Sequence, residues 1–390
     1  MKIALFLEAY HPYTNGVITY ASSLKDSFEK LGHEVLVVTA NPDVKHHEIK
    51  DGVLYCPAKK LKKIYGYGLA APFSRTRLRL LKEFDPDIFH IHNEFGICLF
   101  GARAAKKLKT PLVYTLHTMY DDYFFYVAKG PLVPVVRGAC YKYIKYLTKN
   151  AATLTSPSAK AVDFLKKCKV EKNVFIIPNS IDVEAFESSR FEQTALIKLR
   201  EQLGIEKDDL VGMFIGRLGK EKSVDVLIDD FSSKFKSEDH FKLLVVGGGP
   251  ELEPLREQAK ALGMEKRIIF TDKINHEDTP KYFAACDYYV SASLSEMMSI
   301  STMEAMAAGL PAIVKFDEKN ISQVIEGVNG WIFRTAEEME QYIRGLDAMS
   351  PDERHEFSRK VSETMSDKTS LESAKFIIST YQQAIDSSVG

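Results

Sequence analysis

Short apolar runs alternate with amphipathic stretches along the whole chain of 390 residues. In the first half, the apolar runs predict five buried parallel strands, at 3–7, 35–39, 87–91, 112–117 and 152–156. Between them, apolar residues recur at helical spacing and predict helices over 17–31, 75–84 and 97–108. This alternation indicates a parallel sheet covered by helices.

The second half repeats the pattern and predicts a second parallel sheet. Its strands are expected at 210–215, 242–246, 267–271, 288–291 and 312–315. Residues 335–386 have helical periodicity throughout, with a final helix near 370–385. The predicted fold class is therefore α/β, with two Rossmann-like doubly wound domains that face a central cleft. We expect the domains to span 1–177 and 178–369, and the segment 370–390 to return to the first domain.

Composition narrows the setting of the protein. No run of about 18 apolar residues is present, so no membrane-spanning helix is expected. The first eight residues turn acidic too early for a signal peptide and are typical of a first strand. The five cysteines are scattered and include no C-x-x-C pair. This pattern favours a reducing compartment and argues against a structural zinc site. These features together predict a cytoplasmic protein.

The small net charge hides an asymmetry between the halves. Residues 1–178 carry 27 Lys and Arg against 15 Asp and Glu, a balance of +12. Residues 179–390 carry 25 against 38, a balance of −13. A basic first half suggests contact with an anionic surface. Drift between two solvated surfaces is the alternative.

Two glutamates separated by seven residues form the most specific motif, Ser295-Glu-Met-Met-Ser-Ile-Ser-Thr-Met-Glu304. Glu296 follows a predicted strand and Glu304 lies in the next helix. The amides near Met298, Ser299 and Ile300 would form a helix N-terminus, which suits a phosphate. Because carboxylates would repel that phosphate, we expect both to accept hydrogen bonds from sugar and ribose hydroxyls. A solvated glutamate followed by a structural one is the alternative.

Two further loops are predicted at the same sheet edge. Arg217 and Lys222 follow the first strand of the second half, where a guanidinium fork and an ammonium can neutralise a diphosphate as a metal otherwise would. Val246-Gly-Gly-Gly-Pro250 follows the next strand, and glycines such as Gly248 allow the backbone to approach a ligand. Surface charges and a simple turn are the alternatives, but three such loops at one edge favour a binding site.

These motifs resemble those of the retaining GT-B glycosyltransferases with an E-x7-E signature, family four, over nearly the whole chain. The resemblance implies that Arg217 and Lys222 clamp the diphosphate of a nucleotide sugar. It implies that Glu296 faces the transferred sugar and Glu304 the ribose. It also places Gly16, in Pro12-Tyr-Thr-Asn-Gly-Val17, near the sugar phosphate. The resemblance further implies that the reaction requires no metal ion and no cofactor.

Three histidines follow predicted strands of the first half. The resemblance matches His117, in Tyr114-Thr-Leu-His-Thr118, to an acceptor-side histidine of the family, although a core histidine is the alternative. His90 and His92 are expected to pack or cap. The Asp85-Pro-Asp87 segment imitates a D-x-D metal motif, but it precedes a strand and so lies at the wrong edge.

The sequence departs from the family after Glu296. The family has Gly-Phe-Gly there, whereas this chain has Met297-Met298-Ser299, which predicts an altered sugar subsite. No Asp or Glu is well placed for a double displacement. Front-face departure, with the leaving phosphate accepting the acceptor proton, is therefore expected, mainly on the family resemblance.

The acceptor is predicted from basic and aromatic segments of the first half, which suit a surface lying on anionic lipid. These segments are 59–63, a helix over 75–82, an aromatic run ending at Tyr126, and a helix over 137–149. Within them, the residues expected to contact the acceptor or membrane are Lys59, Lys60, Lys62, Lys63, Tyr126, Lys142 and Lys145. The tyrosines of the last helix could instead fill the core. The stretch 117–130 looks like that of bacterial 1,2-diacylglycerol 3-glucosyltransferases, which implies transfer from UDP-glucose to diacylglycerol, peripherally on the inner face of the cell membrane.

Other functions remain open at this point. The same fold could glycosylate a soluble sugar or sugar phosphate, and a nucleotide-sugar epimerase or a phosphorylase belongs to a different class. No nucleic-acid motif accompanies the basic charge, so a nucleic-acid partner is not expected.

Overall fold

The computed structural model describes residues 1–13, 15–61, 67–118, 120–122, 132–294, 298–317 and 323–389. The chain divides into two compact units, one formed by 1–180 together with 370–390 and the other by 181–369. The boundary between the units, after residue 180, lies three residues beyond the predicted boundary after residue 177. Within the described ranges, no helix is long and apolar enough to cross a bilayer.

The first unit contains an eight-stranded sheet, as far as the chain is described, in the order β10-β9-β8-β7-β1-β2-β4-β3. Its strands pair in parallel except for β3 with β4. These strands are β1 (Lys2–Leu7), β2 (Glu34–Asn41), β3 (Glu48–Lys50), β4 (Val53–Pro57), β7 (Ile88–Ile91), β8 (Leu112–Thr115), β9 (Thr153–Ser156) and β10 (Val174–Ile176). A separate antiparallel pair is formed by β5 (Lys59–Lys60) and β6 (Gly68–Leu69).

Two helices of the first unit begin at residues whose side chains cap them. The side chain of Asn15 accepts the amide of Ile18 at the start of the first helix, and Ser74 does the same for Arg77 at the second. The helices of this unit are α1 (Gly16–Lys30), α2 (Arg75–Phe84), α3 (Gly96–Leu108), α4 (Val133–Lys149), α5 (Lys160–Lys167) and the last helix of the chain, α13 (Ser370–Val389). The last helix packs against α1, with Tyr381 fully buried and its ring 5.7 Å from that of Phe28.

The second unit contains a six-stranded sheet over its described residues, in the order β13-β12-β11-β14-β15-β16 and parallel throughout. The strands are β11 (Leu210–Ile215), β12 (Phe241–Val246), β13 (Ile268–Phe270), β14 (Tyr288–Ser291), β15 (Ala312–Lys315) and β16 (Gly330–Phe333). The helices are α6 (Gln193–Gln202), α7 (Val224–Lys234), α8 (Leu252–Ala261), α9 (Thr279–Ala284), α10 (Ile300–Ala307), α11 (Ala336–Asp347) and α12 (Pro351–Glu363). Apolar side chains cover both faces of this sheet, which explains why its strands read as continuous hydrophobic runs.

Several predicted bounds change in the structure. The predicted strand 112–117 ends at Thr115, so His117 lies in the loop beyond the sheet. The predicted strand 267–271 shortens to three residues, because it is the sheet's edge and pairs with β12 alone. The short strands β3, β4, β10 and β16 were not predicted.

Candidate functional site

Both sheets have a topological switch point, where open α/β sheets bind ligands. In the second unit the chain runs from β11 through β12 to β13, then starts again at β14 on the other side of β11. Arg217 and Lys222 follow β11, and Ser299 and Glu304 follow β14. The sheet thus brings the two motifs of the second half to one switch point.

Arg217 is held in place by an acidic neighbour that the sequence analysis did not assign. Its Nη2 pairs with Oε1 of Glu221, whose side chain is fully buried, while the Arg217 side chain remains one-third exposed. A charge-assisted bond to a buried carboxylate fixes the plane of the guanidinium. Lys222 is half-buried at the end of the same turn. The spacing of four residues between Arg217 and Glu221 could have indicated this ion pair from the sequence.

The glycines after β12 pack against the loop that carries Arg217. A β carbon on Gly247 would overlap the carbonyl oxygen of Gly216, and one on Gly249 would overlap that of Leu218. Gly247 has φ of 136°, which strains any other residue. At Gly248, by contrast, a β carbon would make only ordinary contact, 3.7 Å from Cβ of Lys273. The outer two glycines therefore serve loop packing, and the middle glycine is the one with space beside it.

Ser299 stands where the family has glycine, and the structure accommodates it. Its φ of −74° is ordinary for a serine, and its Oγ caps α10 by accepting the amide of Thr302 at 3.2 Å. The side chain of Gln323 brackets the same residue, accepting from its amide at 3.1 Å and donating to its carbonyl at 2.6 Å. Met298 and Ile300 are partly buried against the core. Glu296 lies outside the described residues.

Glu304 lies in the second turn of α10 with 6% of its surface exposed. Burial alone raises the pKa of its carboxyl group to about 8. No described residue forms a hydrogen bond with this side chain. A buried carboxyl group without a protein partner is suited to a ligand that supplies the missing donors.

In the first unit the switch point lies between β1 and β7. Gly16 is exposed at the first position of α1, which follows β1. Tyr20, one turn later, is buried with its ring 5.1 Å from the ring of His117. His117 follows β8, and its Nε2 lies 3.1 Å from Nδ1 of His92. The N-terminus of α1 and His117 are thus neighbours within this unit.

His90 and His92 are both buried, as expected for packing residues, but His92 also contacts His117 directly. Burial lowers the pKa of His90 and of His117 to about 3, and lowers that of His92 well below its usual value. All three imidazoles are therefore neutral at physiological pH. Within the described ranges, no group of three His, Cys, Asp or Glu side chains is arranged to hold a metal ion.

Asp87 makes a structural contact instead of a metal site. It immediately precedes β7, and its Oδ2 accepts the amide of Lys2 at 2.7 Å.

Glu94, also unassigned from the sequence, joins the elements beside the histidines. Its carboxylate accepts hydrogen bonds from the hydroxyls of Tyr114, at 2.7 Å, and Tyr120, and its carbonyl accepts from Tyr143 of α4. Burial raises the pKa of Glu94 to about 7.

The residues predicted to contact the acceptor or membrane differ in how the structure places them. Lys59, Lys60, Lys142 and Lys145 are exposed, whereas Lys62, Lys63 and Tyr126 lie outside the described residues. Two interpretations were wrong. Arg77 does not join the basic surface of α2, because it is 2% exposed with its guanidinium over the ring of Phe100.

The tyrosines of α4 are the second correction. Tyr141 and Tyr143 direct their hydroxyls inward, to Asp121 and to the Glu94 carbonyl, and only Tyr146 is well exposed, at 45%. Tyr141 and Tyr143 thus bond within the domain but are only half-buried, so they do not fill its core.

Comparison with known proteins identifies the family. Residues 14–185 match the model described as Glycosyltransferase Family 4, and residues 197–366 match Glycosyl transferases group 1. The chain is 31% identical to alpha-monoglucosyldiacylglycerol synthase of Acholeplasma laidlawii over 88% of this chain and 87% of that protein. The chain belongs to the family 4 glycosyltransferases.

Two further relatives support the family and its fold. The glycosyltransferase is 33% identical to alpha-monoglucosyldiacylglycerol synthase of Streptococcus pneumoniae, over 80% of this chain and 70% of that one. The crystal structure of Anabaena Alr3699/HepE in complex with UDP-glucose superimposes with a TM-score of 0.75 at 18% identity, covering 98% of this chain and 100% of the other. The predicted GT-B fold is confirmed.

Proposed function

We propose that this glycosyltransferase transfers glucose from UDP-glucose to 1,2-diacylglycerol, with retention at the anomeric carbon and without a metal ion. The observation that carries the proposal is the similarity to two alpha-monoglucosyldiacylglycerol synthases over at least four-fifths of the chain. Exposed basic and apolar side chains on α4 give it independent support.

The second unit supplies the donor site. Arg217, oriented by Glu221, and Lys222 stabilise the negative charge of the departing diphosphate. The N-terminus of α10, capped by Ser299, adds the partial positive charge of its first-turn amides. Glu304 accepts hydrogen bonds from the ribose hydroxyls, which satisfies its carboxyl group. Because two cationic side chains and a helix N-terminus stabilise its negative charge, the leaving group needs no divalent ion.

Retention follows from departure and attack on one face of the sugar. The acceptor hydroxyl oxygen forms a bond to the anomeric carbon as the bond to the diphosphate oxygen breaks. The departing phosphate oxygen takes the hydroxyl proton, so no protein base is needed. His117 contributes a hydrogen bond at the acceptor side of the site.

The lipid acceptor requires the enzyme to reach a membrane surface. The exposed side chains change from apolar to basic along α4. Leu132, just before the helix, and Val135 are 61% and 67% exposed, and Lys142, Lys145 and Tyr146 lie exposed further along it. Apolar side chains can enter the lipid while lysines contact anionic head groups, each worth about 1 kcal/mol. Lys59 and Lys60 extend the basic character of this unit. The enzyme would then act peripherally on the inner face of the cell membrane.

The test is a panel of radiolabelled nucleotide sugars incubated with diacylglycerol in vesicles and, separately, with soluble sugars and sugar phosphates. We expect label from UDP-glucose in a glycolipid whose anomeric configuration, read from its proton coupling, is α. Label only in a soluble product would favour the soluble-acceptor function. Release of free sugar from the donor without acceptor would overturn transfer itself.

A further inference from the structure

Three neutral imidazoles and a tyrosine from the last helix form a continuous cluster in the first unit. The rings of His90 and His92 lie 4.0 Å apart, and those of His92 and His117 lie 5.4 Å apart and nearly parallel. The His92 and His117 rings are also joined by the 3.1 Å contact between Nδ1 and Nε2. His117 is therefore held through one ring nitrogen by a residue buried behind it.

His90 is fixed on both of its ring nitrogens. Its Nδ1 lies 2.5 Å from the hydroxyl of Tyr381, and its Nε2 lies 2.6 Å from Oγ1 of Thr115. Thr115 in turn contacts Oγ1 of Thr155 at 2.5 Å, which ties the ring to two strands. Because the ring of His90 contacts that of His92 at a tilt of 38°, this network restricts the ring orientation of His92 as well.

The proton positions follow from which nitrogens have partners. A neutral imidazole has one N–H donor and one acceptor nitrogen. Nε2 of His92 is buried and has no hydrogen-bond partner among the residues that the structure describes. If that nitrogen carried the proton, an N–H would be buried unpaired, which is rarer in folded proteins than an unsatisfied acceptor. The favoured arrangement has the proton of His92 on Nδ1, donated to Nε2 of His117.

His117 then carries its own proton on Nδ1. No described residue forms a hydrogen bond with that nitrogen, and His117 as a whole is partly exposed. The imidazole therefore presents an N–H donor, and not a base, towards a ligand. Such a donor would recognise an oxygen lone pair of a sugar hydroxyl or a phosphate.

We propose that His92 is a positioning residue that fixes His117 in the Nδ1–H tautomer, and that Tyr381 sets this arrangement from the last helix through His90. The proposal rests on the proposed function in taking His117 to contact the reacting molecules. It adds the direction of the hydrogen bond and the residues that impose it.

The first experiment reads the tautomer directly and needs no substrate. In the intact protein labelled with ¹⁵N-histidine, long-range ¹⁵N–¹H correlation spectra show which ring nitrogen of each neutral histidine is protonated. The His117 signals are assigned by their loss in His117→Gln. We expect Nδ1 of His117 to be protonated, and a proton on Nε2 would overturn the proposal.

Variants of His92 then test the cause. In His92→Asn the side-chain amide can replace the Nδ1–H donor, so the His117 tautomer and most of the turnover should be kept. His92→Leu removes the donor, and we expect mixed tautomers and a fall in kcat of about 10- to 100-fold, typical for loss of a residue that orients a functional histidine. The KM for the nucleotide sugar should change little. An unchanged tautomer and kcat in His92→Leu would contradict the proposal.

The contribution of the last helix has a matched control. Tyr381→Phe removes only the hydroxyl that contacts His90, and we expect a several-fold fall in kcat with a disturbed His117 spectrum. Thr380→Val, at the neighbouring position, removes a buried hydroxyl whose partner, within the described part of the chain, is the carbonyl of Phe376 in its own helix. Equal effects of the two substitutions would show that α13 acts only by general stability. If no donor supports transfer, the proposed function fails while the spectra still decide the tautomer.

Discussion

The carboxyl group of Glu304 is largely protonated below its pKa of about 8 in the free protein, because burial disfavours its charged form. Ribose hydroxyls that donate to it would favour the carboxylate, so donor binding should release a proton. We expect the affinity for UDP-glucose to rise about tenfold per pH unit below pH 8 and to level off above it. Calorimetric titration between pH 6 and 9 measures this directly.

Glu304→Gln is the control, since its amide cannot ionise and its affinity should not vary with pH in this range. Unfolding supplies a second measurement. The folded protein holds this proton more tightly than the unfolded chain, so stability should fall more steeply in the wild type than in Glu304→Gln as pH rises from about 4.5 to 8. An equal pH slope of affinity in both proteins would remove Glu304 from the ribose site.

Arg217 and Lys222 are expected to act on the transition state. Substitution of either by Ala should lower kcat/KM by at least about 10²-fold, the usual loss for one such stabilising group. Glu221→Gln should have a smaller effect, because it frees the guanidinium without removing it. Initial rates in the presence of EDTA should equal those without it. Loss of activity with chelator that only a divalent ion restores would contradict a metal-free clamp.

At the scale of the element, two glycines of the loop after β12 allow a paired test of whether they are required for loop packing. Gly247→Ala places a β carbon against the Gly216 carbonyl and strains the backbone, so we expect a loss of about 1–3 kcal/mol in the free energy of unfolding. Because the displaced loop carries Arg217, nucleotide affinity should fall too. Gly248→Ala, with room for its β carbon, should leave stability nearly unchanged. Denaturant titration of both variants decides, and similar losses would contradict the packing role.

Much of the element order could be predicted from hydrophobic periodicity. The bounds of β11, β14 and β15 agree with the predicted 210–215, 288–291 and 312–315, because each is a short buried run between turn residues. β16 is equally short but was not recognised, because it begins with Gly330 and glycine is depleted in strands. Residue type alone does not show whether a basic side chain is exposed or buried, so the burial of Arg77 could not be predicted.

The site was predictable only where its residues are local in sequence. Arg217, Lys222 and Glu304 stand in motifs that follow strands. The contact between His92 and His117 depends on the register of β7 with β8, which pairs Ile91 with Tyr114. Tyr381 is 291 residues from His90, and no local pattern connects them.

At the scale of the whole molecule, the basic first half predicts binding to anionic membranes. Binding of the enzyme to liposomes should rise with the fraction of anionic lipid and fall with salt, because the surface field decays over about 8 Å at physiological ionic strength. Replacing Lys59, Lys60, Lys62 and Lys63 by Ser should weaken binding by several kcal/mol at about 1 kcal/mol each. Sedimentation with vesicles measures the change.

The control removes the same charge from the acidic half. Four exposed lysines of the second unit, Lys198, Lys207, Lys236 and Lys260, are replaced by Ser. We expect this variant to bind vesicles like the wild type, and transfer to a short-chain, water-soluble diacylglycerol to be largely spared in both. Sedimentation indifferent to lipid charge and salt would remove the membrane surface from the proposed function.

The path of the chain has a consequence for how the protein is made. The first unit is built from 1–180 and 370–390, so the second unit is an insertion within it. On the ribosome, the contiguous segment 181–369 can fold as soon as it emerges. The first unit is completed only by the last helix, so the hydrogen bond between Tyr381 and His90 can form only after the whole second unit has been synthesised. Until then Phe28 of α1 lacks its contact with Tyr381, and the apolar face of α1 that the last helix covers stays open to solvent.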